Sequence, residues 1–207
     1  MLFFRDLTAH LDGSAPSTFE SNSAQYGGAV AFEGQGLIKM ASATFTSNRA
    51  TIEGGAIFAT ISDVADGFAG LTVDSTHFER NSAPLGGALY LYILSPQLRQ
   101  LKLTRSQFVS NRAEHDGSAI FVDAAADIVW NGYPSFFSGN SVLLSENHAG
   151  TADQAGGGAI FWQRQFPNEK DFTPSIFNFA ANQGGYGADF ATGELLQFAA
   201  WSGVLSA

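Results

Sequence analysis

Two short signals recur in fixed order along this chain of 207 residues, and they restrict its fold more than any other feature. The first is Phe-x-x-Asn, with one degraded copy, found at Phe19–Asn22, Phe45–Asn48, Phe78–Asn81, Phe108–Asn111, Leu144–Asn147 and Phe179–Asn182. The second is Gly-Gly-Ala-Ile or a variant, which begins after each copy at Gly27, Gly54, Gly86, Gly117, Gly157 and Tyr186. Ordered copies of one pair indicate a structural unit stacked on itself.

The periodicity within each unit indicates strands. Alternate residues after the glycines are apolar, as in Ile57, Ala59 and Ile61, whereas a helical repeat would show a period of 3.6. Another apolar segment precedes each Phe, and its spacing changes from even to odd, which predicts a bend or bulge. We therefore predict an all-β fold, a right-handed parallel β-helix of about six rungs.

The repeated residues have physical roles in such a coil. The Phe is expected to fill the interior at a corner. The Asn is expected to lie in the tight turn, tolerate left-handed backbone angles and bond its amide to the next rung. The predicted structural ladder is Asn22, Asn48, Asn81, Asn111, Asn147 and Asn182. Phe137-Ser-Gly-Asn140 also matches the signal, so Asn140 competes with Asn147 for the fifth place.

The chain is expected to form one repeat domain with a modified end. Residues 1–192 are assigned to the β-helix, and residues 193–207 are assigned to a C-terminal cap or tail, in part a short helix. In the last copy, Asp189 is expected at the inward position that Ile160 takes in the copy before it. Stacked repeats need modified ends that stop further edge pairing.

Composition excludes several classes of partner and site. The net charge of −9 argues against nucleic acid and against an anionic membrane surface. No apolar run is long enough for a membrane helix, so no membrane insertion by this segment is expected, and residues 1–6 lack the pattern of a signal peptide. The chain has no Cys, and its His residues lack metal-binding spacing. No metal, cofactor or catalytic residue is therefore predicted.

An aromatic column is the candidate binding surface. In each copy, the apolar residue that Ile57 represents is expected to face inward, and the residue after it is expected to face outward. These outward residues are aromatic in five copies, namely Phe58, Tyr90, Phe121, Phe161 and Phe190, and Tyr92 extends the patch. An exposed stripe of this kind is typical of a binding face. Two alternatives stay open: the facing is reversed and the column is an interior stack, or the chain's own loops cover it.

The repeated Phe-x-x-Asn and Gly-Gly-Ala-Ile signals, from about Phe19 to Thr192, resemble the passenger domains of the chlamydial polymorphic outer membrane proteins. The resemblance implies a right-handed β-helix, display at the cell surface or outside the cell, and a role in adhesion. It brings no catalytic residues.

We therefore expect a non-enzymatic cell-surface or extracellular β-helix module for adhesion or recognition, with a protein or glycan partner. One alternative is a polysaccharide lyase or hydrolase on a pectin-lyase-like β-helix. That activity needs converging carboxylates, but candidates such as Asp63, Asp74 and Asp123 are scattered in the sequence. The other alternative is a structural subunit of a larger assembly, with further rungs or subunits as its partners.

Overall fold

The computed structural model describes residues 2–5, 10–11, 15–35, 37–62, 69–94, 99–124, 128–131, 133–143, 158–163, 177–184 and 188–192. Within these stretches, every element of regular secondary structure is a β-strand. The strands form four sheets, named A to D here, and the chain visits the sheets in the same order on each circuit.

The strands are short because each one spans a single side of a coil. The first two circuits are β1 (Leu2–Arg5), β2 (His10–Leu11), β3 (Ser17–Glu20), β4 (Ser23–Tyr26), β5 (Val30–Gln35), β6 (Leu37–Ala41), β7 (Ala43–Thr46) and β8 (Arg49–Glu53). The next two are β9 (Ile57–Ser62), β10 (Ala69–Asp74), β11 (His77–Glu79), β12 (Ser82–Leu85), β13 (Leu89–Ile93), β14 (Arg99–Thr104), β15 (Gln107–Val109) and β16 (Arg112–Asp116). The remainder are β17 (Ile120–Ala124), β18 (Ile128–Asn131), β19 (Ser135–Ser138), β20 (Ser141–Val142), β21 (Ile160–Trp162), β22 (Phe177–Ala180) and β23 (Phe190–Thr192).

Each sheet collects the equivalent strand of every circuit. Sheet A has the order β1-β5-β9-β13-β17-β21-β23, and sheet B has β18-β14-β10-β6-β2. Sheet C has β22-β19-β15-β11-β7-β3, and sheet D has β20-β16-β12-β8-β4. Neighbouring strands pair in parallel. The predicted all-β parallel β-helix is therefore confirmed, and the described strands make five complete circuits, part of a sixth and, with β23, the start of a seventh. The predicted cap, residues 193–207, lies outside the described residues.

The interior consists of columns of like side chains. The Phe of each repeat lies directly over its counterpart, with ring centroids 4.7 Å apart between Phe19 and Phe45 and 5.0 Å apart between Phe45 and Phe78. The stack continues through Phe108 to Phe137 at 4.7 Å per step. These spacings are close to the separation of adjacent strands, so one ring fits each coil.

A ladder of asparagine amides runs beside the phenylalanine stack. Asn81, which is fully buried, shows the pattern: its Nδ2 donates to the Asn111 Oδ1 at 3.0 Å and to the Phe45 carbonyl at 2.9 Å. Its Oδ1 accepts hydrogen bonds from both the backbone N–H and the Nδ2 of Asn48, each at 3.0 Å. One side chain thus joins three successive coils.

Asn140, not Asn147, takes the fifth place in this ladder. Its Oδ1 accepts from Asn111 Nδ2 at 3.0 Å, and its Nδ2 donates to the Asn182 Oδ1 at 2.9 Å. Phe137, which precedes Asn140 by three residues, lies in the phenylalanine stack. The expectation that Asn147 fills this place is corrected accordingly, and Asn147 itself lies outside the described residues.

At the turn that contains each ladder asparagine, the residue before the Asn has the left-handed backbone angles. The prediction that the Asn itself would take this conformation is corrected accordingly. Ser47, Arg80 and Ser110 have φ near +53° to +55°, and each directly precedes a ladder asparagine. The predicted bend ahead of each Phe is confirmed by a second set of left-handed residues: Ser42, Ser75 and Arg105.

The Gly-Gly pair makes the remaining sharp turn, and its two members act differently. Gly86 has φ +63°, in the left-handed region that favours glycine. Gly87 has no room for a side chain, because an added Cβ would lie 2.1 Å from the Ser118 carbonyl oxygen of the next coil. At Gly87 the close approach of successive coils therefore excludes a side chain, although Ser118 takes the equivalent place in the next copy.

We expect Gly87→Ala to lower the free energy of unfolding by about 4 kcal/mol or more, since the atoms it meets are backbone and cannot move independently. Urea denaturation measures the loss. Gly139→Ala is the matched control: an added Cβ at Gly139 meets only the Ser110 Oγ, at 3.5 Å, and Ala181 has φ +54° at the equivalent place. This control should lose only about 1 to 2 kcal/mol. Equal losses would contradict the close-approach explanation.

We also expect Asn81→Ala to lower the free energy of unfolding by about 3 to 5 kcal/mol, because it leaves several buried hydrogen-bonding groups without their partner. Asn22→Ala, at a half-buried position, should lose about 1 kcal/mol, because it removes a hydrogen bond that water can replace. Thermal and urea unfolding of both variants provide the comparison. A ladder that contributed little to stability would give two small and similar losses.

Candidate functional site

The predicted aromatic column lies on the outer face of sheet A, in a cluster separate from the main core. Its rings are in register, with centroids 5.5 Å apart for Phe58 and Tyr90, 5.0 Å for Tyr90 and Phe121, and 5.2 Å for Phe121 and Phe161. The residue before each of these rings, such as Ile57 or Ile120, packs into the solenoid interior on the opposite face of the sheet. The column is therefore not an interior stack, which was one of the two alternatives.

The central rings of this column face outward but are covered by the chain itself. Tyr90, Phe121 and Phe161 are 7%, 2% and 5% exposed, while Phe58 and Tyr92 are half-buried. These three rings are therefore covered within the fold, and Leu85, which packs on them, belongs to a strand and not to the loops that the other alternative invoked. The three rings do not form an open surface on which a partner could stack.

A concave corner between sheets D and A accounts for this burial. Tyr26, at the end of β4, places its ring 5.0 Å from that of Phe58 in β9, the sheet A strand of the following coil. Leu85, at the end of β12, packs on the same cluster. The Gly-Gly turn between the two sheets thus brings the outward side chains of adjoining strands together. At such a corner an outward-facing residue is not an exposed one.

Phe190 does not belong to this column. It aligns with Ile160 on the inward side and packs against the main core, while Ala191 aligns with Phe161. The cause is a shift of one residue at the last coil: the Ile160 N–H donates to the Asp189 carbonyl, whereas the Ile120 N–H donates to the Ala159 carbonyl. This corrects the placement of both Phe190 and Asp189.

Asp189 has a different role, at the end of the asparagine ladder. Its carboxylate Oδ1 accepts a hydrogen bond from Asn182 Nδ2 at 3.0 Å, in the position that the next amide oxygen takes elsewhere. The Nδ2 also donates to the Phe137 carbonyl at 3.0 Å. The carboxylate therefore satisfies the last donor of the ladder.

The carboxylates of Glu53 and Asp123 influence each other electrostatically near the turns between sheets D and A. Burial raises the pKa of Glu53, and the negative charge of Asp123 raises it further, while a hydrogen bond from the Tyr90 side chain acts in the opposite direction. Asp123 is itself buried on sheet A. Sequence patterns did not bring these residues together, because Glu53 ends a strand of sheet D and Asp123 lies two coils later.

An exposed aromatic pair lies elsewhere, at the fifth circuit. Tyr133 is 64% exposed and Phe136 is 51% exposed. The Tyr133 ring lies 5.6 Å from the guanidinium carbon of Arg105, which binds both carboxylate oxygens of Asp74 at 2.9 and 3.0 Å. The ion pair fixes the arginine, and the arginine in turn orients the tyrosine ring.

Sequence reasoning missed this pair, although one signal could have found Phe136. Phe136 directly precedes Phe137, and alternation along a strand places neighbours on opposite faces. Once Phe137–Asn140 is taken as the fifth copy, Phe136 is predicted to face solvent beside Gln107 and Asn178, its partners in sheet C. Tyr133 lies ahead of the strand, where no periodicity applies.

Within the described residues, no group of three or more His, Asp or Glu side chains is arranged to hold a metal ion. The same part of the chain contains no helix with the length and apolar character needed to cross a membrane.

Comparison with known proteins supports the repeat. Residues 42–60 match the family model described as the Chlamydia polymorphic membrane protein repeat. This stretch holds the second copy of both signals, Phe45–Asn48 and Gly54–Ile57, so the resemblance is confirmed for the repeat. The chain matches no curated protein and no solved structure. The repeat and the solenoid together fit a surface β-helix module, and the family suggests an outer-membrane or surface location.

The raised pKa of Glu53 leads to a prediction about stability and pH. Because the folded-state pKa exceeds the ordinary value of 4.5, ionisation of Glu53 opposes folding, and stability from this group falls as pH rises through the folded-state pKa. Glu53→Gln should therefore unfold at a higher urea concentration than the wild type at about pH 8, with the difference shrinking toward about pH 4. Glu20→Gln, at an exposed site, is the control and should show little change. A Glu53→Gln variant less stable at the higher pH would contradict the assignment.

Proposed function

We propose that this chain is a non-enzymatic β-helix module that acts at a cell surface or outside the cell and recognises a protein or glycan partner. The repeat match and the solenoid support the surface module. The observation that carries the recognition role is the exposed aromatic pair Tyr133 and Phe136, presented on a rigid scaffold.

The pair has the physical properties of a recognition surface. Exposed aromatic side chains lose little conformational entropy on binding and provide large contact areas, which is why they dominate binding energy at interfaces. Tyr133 is held in place through Arg105 and Asp74. Phe136 belongs to a strand whose next residue, Phe137, is fully buried. Both rings are therefore positioned before a partner arrives, and ordering them on binding costs little.

The polar neighbours of Phe136 suit a partner rich in hydroxyl groups. Gln107 and Asn178 flank Phe136 in the same outer column, one on each adjacent strand, and both are exposed. An apolar ring between two amides matches a sugar, which has apolar C–H faces and hydroxyl edges. The same arrangement also fits a polar protein loop, so the test includes both kinds of partner.

One observation favours an enzymatic alternative. A carboxyl group whose pKa is raised in part by a second carboxylate is a feature of glycoside hydrolase sites, and Glu53 with Asp123 has that feature. However, Asp123 is buried and the rings next to the pair are covered. A sugar would have to displace packed side chains to reach these carboxylates, so recognition is the better supported function.

We expect the double variant Tyr133→Ala/Phe136→Ala to bind its partner about 30-fold or more weakly, which corresponds to about 2 kcal/mol. Binding is measured on a printed glycan array and on intact cells. Ile52→Ala/Leu94→Ala removes two other exposed apolar side chains and should bind like the wild type.

Unchanged binding of the aromatic double variant would show that the pair is not the recognition surface. Release of cleaved sugars by the wild type, abolished in Glu53→Gln, would replace recognition with catalysis.

A further inference from the structure

An outer column of sheet D alternates between serine and arginine. Strand pairing aligns, coil by coil, Ser23, Arg49, Ser82, Arg112 and Ser141. Each of these residues directly follows a ladder asparagine. The Arg49 N–H donates to the Asn22 carbonyl and the Arg112 N–H to the Asn81 carbonyl, each at 2.9 Å. The backbone next to the ladder therefore holds this column at strand spacing.

The two arginines are exposed and have no carboxylate partner in the described part of the chain. There, Arg80 pairs with Glu79 and Arg105 pairs with Asp74, but neither Arg49 nor Arg112 forms an ion pair. The whole chain carries a net charge of −9. Two unpaired guanidinium groups in one column are thus a local positive site that opposes the overall charge.

The arginines line one shallow groove. It has a volume of about 200 Å³, and Ser82 lies in it between Arg49 and Arg112. The buried Ala83 also lines the groove. A chain-like ligand that lies along the solenoid axis would meet Arg49, the Ser82 hydroxyl and Arg112 in turn.

We infer that this groove binds a linear acidic polysaccharide that carries a carboxylate on alternate sugars. This inference rests on the proposed recognition function and names a ligand class for it. Guanidinium groups bind carboxylates through two parallel hydrogen bonds, which makes arginine suited to this role. Arg49 and Arg112 are two strands apart, or about 9.5 Å, a separation on the scale of a disaccharide unit. Ser82 would then face the neutral sugar between the two charges.

The residue between the two arginines limits the charge density of the ligand. Ser82 lies there and is neutral, and Glu114, which also lines the groove and is exposed, adds a negative charge. A polysaccharide with an anionic group on every sugar would place its additional charges opposite Ser82, where the strand pairing provides no guanidinium group. The groove therefore favours alternating uronates over fully charged or sulfated chains.

The experiment compares four probes against the full chain by titration calorimetry at low ionic strength, about 0.05 M, where screening is weak. Hyaluronan oligosaccharide has a uronate on alternate sugars, polygalacturonate on every sugar, heparin adds sulfates, and dextran is neutral. We expect hyaluronan oligosaccharide to bind most tightly. Arg49→Gln/Arg112→Gln should weaken that binding by about tenfold or more, with an unchanged melting temperature, because both side chains are exposed.

Lys39→Gln/Lys102→Gln is the matched control. These lysines flank Thr72 in sheet B, so the control removes two positive charges that are also two strands apart, on another face. It should bind hyaluronan oligosaccharide like the wild type. Equal weakening in the two double variants would show general electrostatic attraction and overturn the assignment.

Three other outcomes overturn it as well: no binding of hyaluronan oligosaccharide, equal binding of dextran, or tighter binding of heparin or polygalacturonate. If any of these occurs while binding that depends on Tyr133 and Phe136 persists on the array or on cells, the groove assignment fails and the recognition function stands. If the wild-type chain binds no probe, glycan or cell in any of these assays, both the groove assignment and the recognition function are wrong.

Discussion

The ladder of asparagine side-chain amides holds the coils of this solenoid in register. An asparagine side chain provides two N–H donors and an oxygen that accepts twice, so Asn81 can bond to the coil before it and the coil after it at once. An aspartate at this position has no donor, and a serine cannot reach both coils. Because the amides fix each coil against the next, every equivalent side chain falls into a column, as the phenylalanine stack shows.

The sequence predicts the class of fold because the repeated residues have physical roles that few other residue types can fill. Gly87 has no space for a Cβ, and Phe78 fills the same volume in its coil as Phe45 does in the coil before. Assigning copies to places is harder where insertions intervene. Ladder residues are 26 to 42 residues apart, so spacing could not decide between Asn140 and Asn147. Likewise, one additional residue moved Phe190 from the outer column to the inner one.

The candidate site was less predictable, because alternation along a strand reports which way a side chain points but not what lies opposite it. Tyr90 and Phe121 point away from the core as predicted, yet the concave corner covers them. The exposed pair shows the converse. Phe136 is exposed on the outer face of sheet C, while Tyr133 lies before its strand and is held by an arginine from the previous coil. Contacts between coils of this kind depend on three-dimensional register, which local sequence does not specify.

The direction of the hydrogen bonds in the asparagine ladder determines where further repeats can be added to such a chain. Each side-chain amide donates one N–H to the amide oxygen of the later coil and the other to the Phe carbonyl of the earlier coil, while its own oxygen accepts from the earlier coil. A duplicated unit inserted between Asn48 and Asn81 would find the same two neighbours and leave their bonding unchanged. A unit attached after Asn182 would first have to displace the carboxylate of Asp189. Duplication of an interior unit therefore leaves the hydrogen bonds of the ladder unchanged, whereas addition of a unit after Asn182 requires a new acceptor to replace the Asp189 carboxylate.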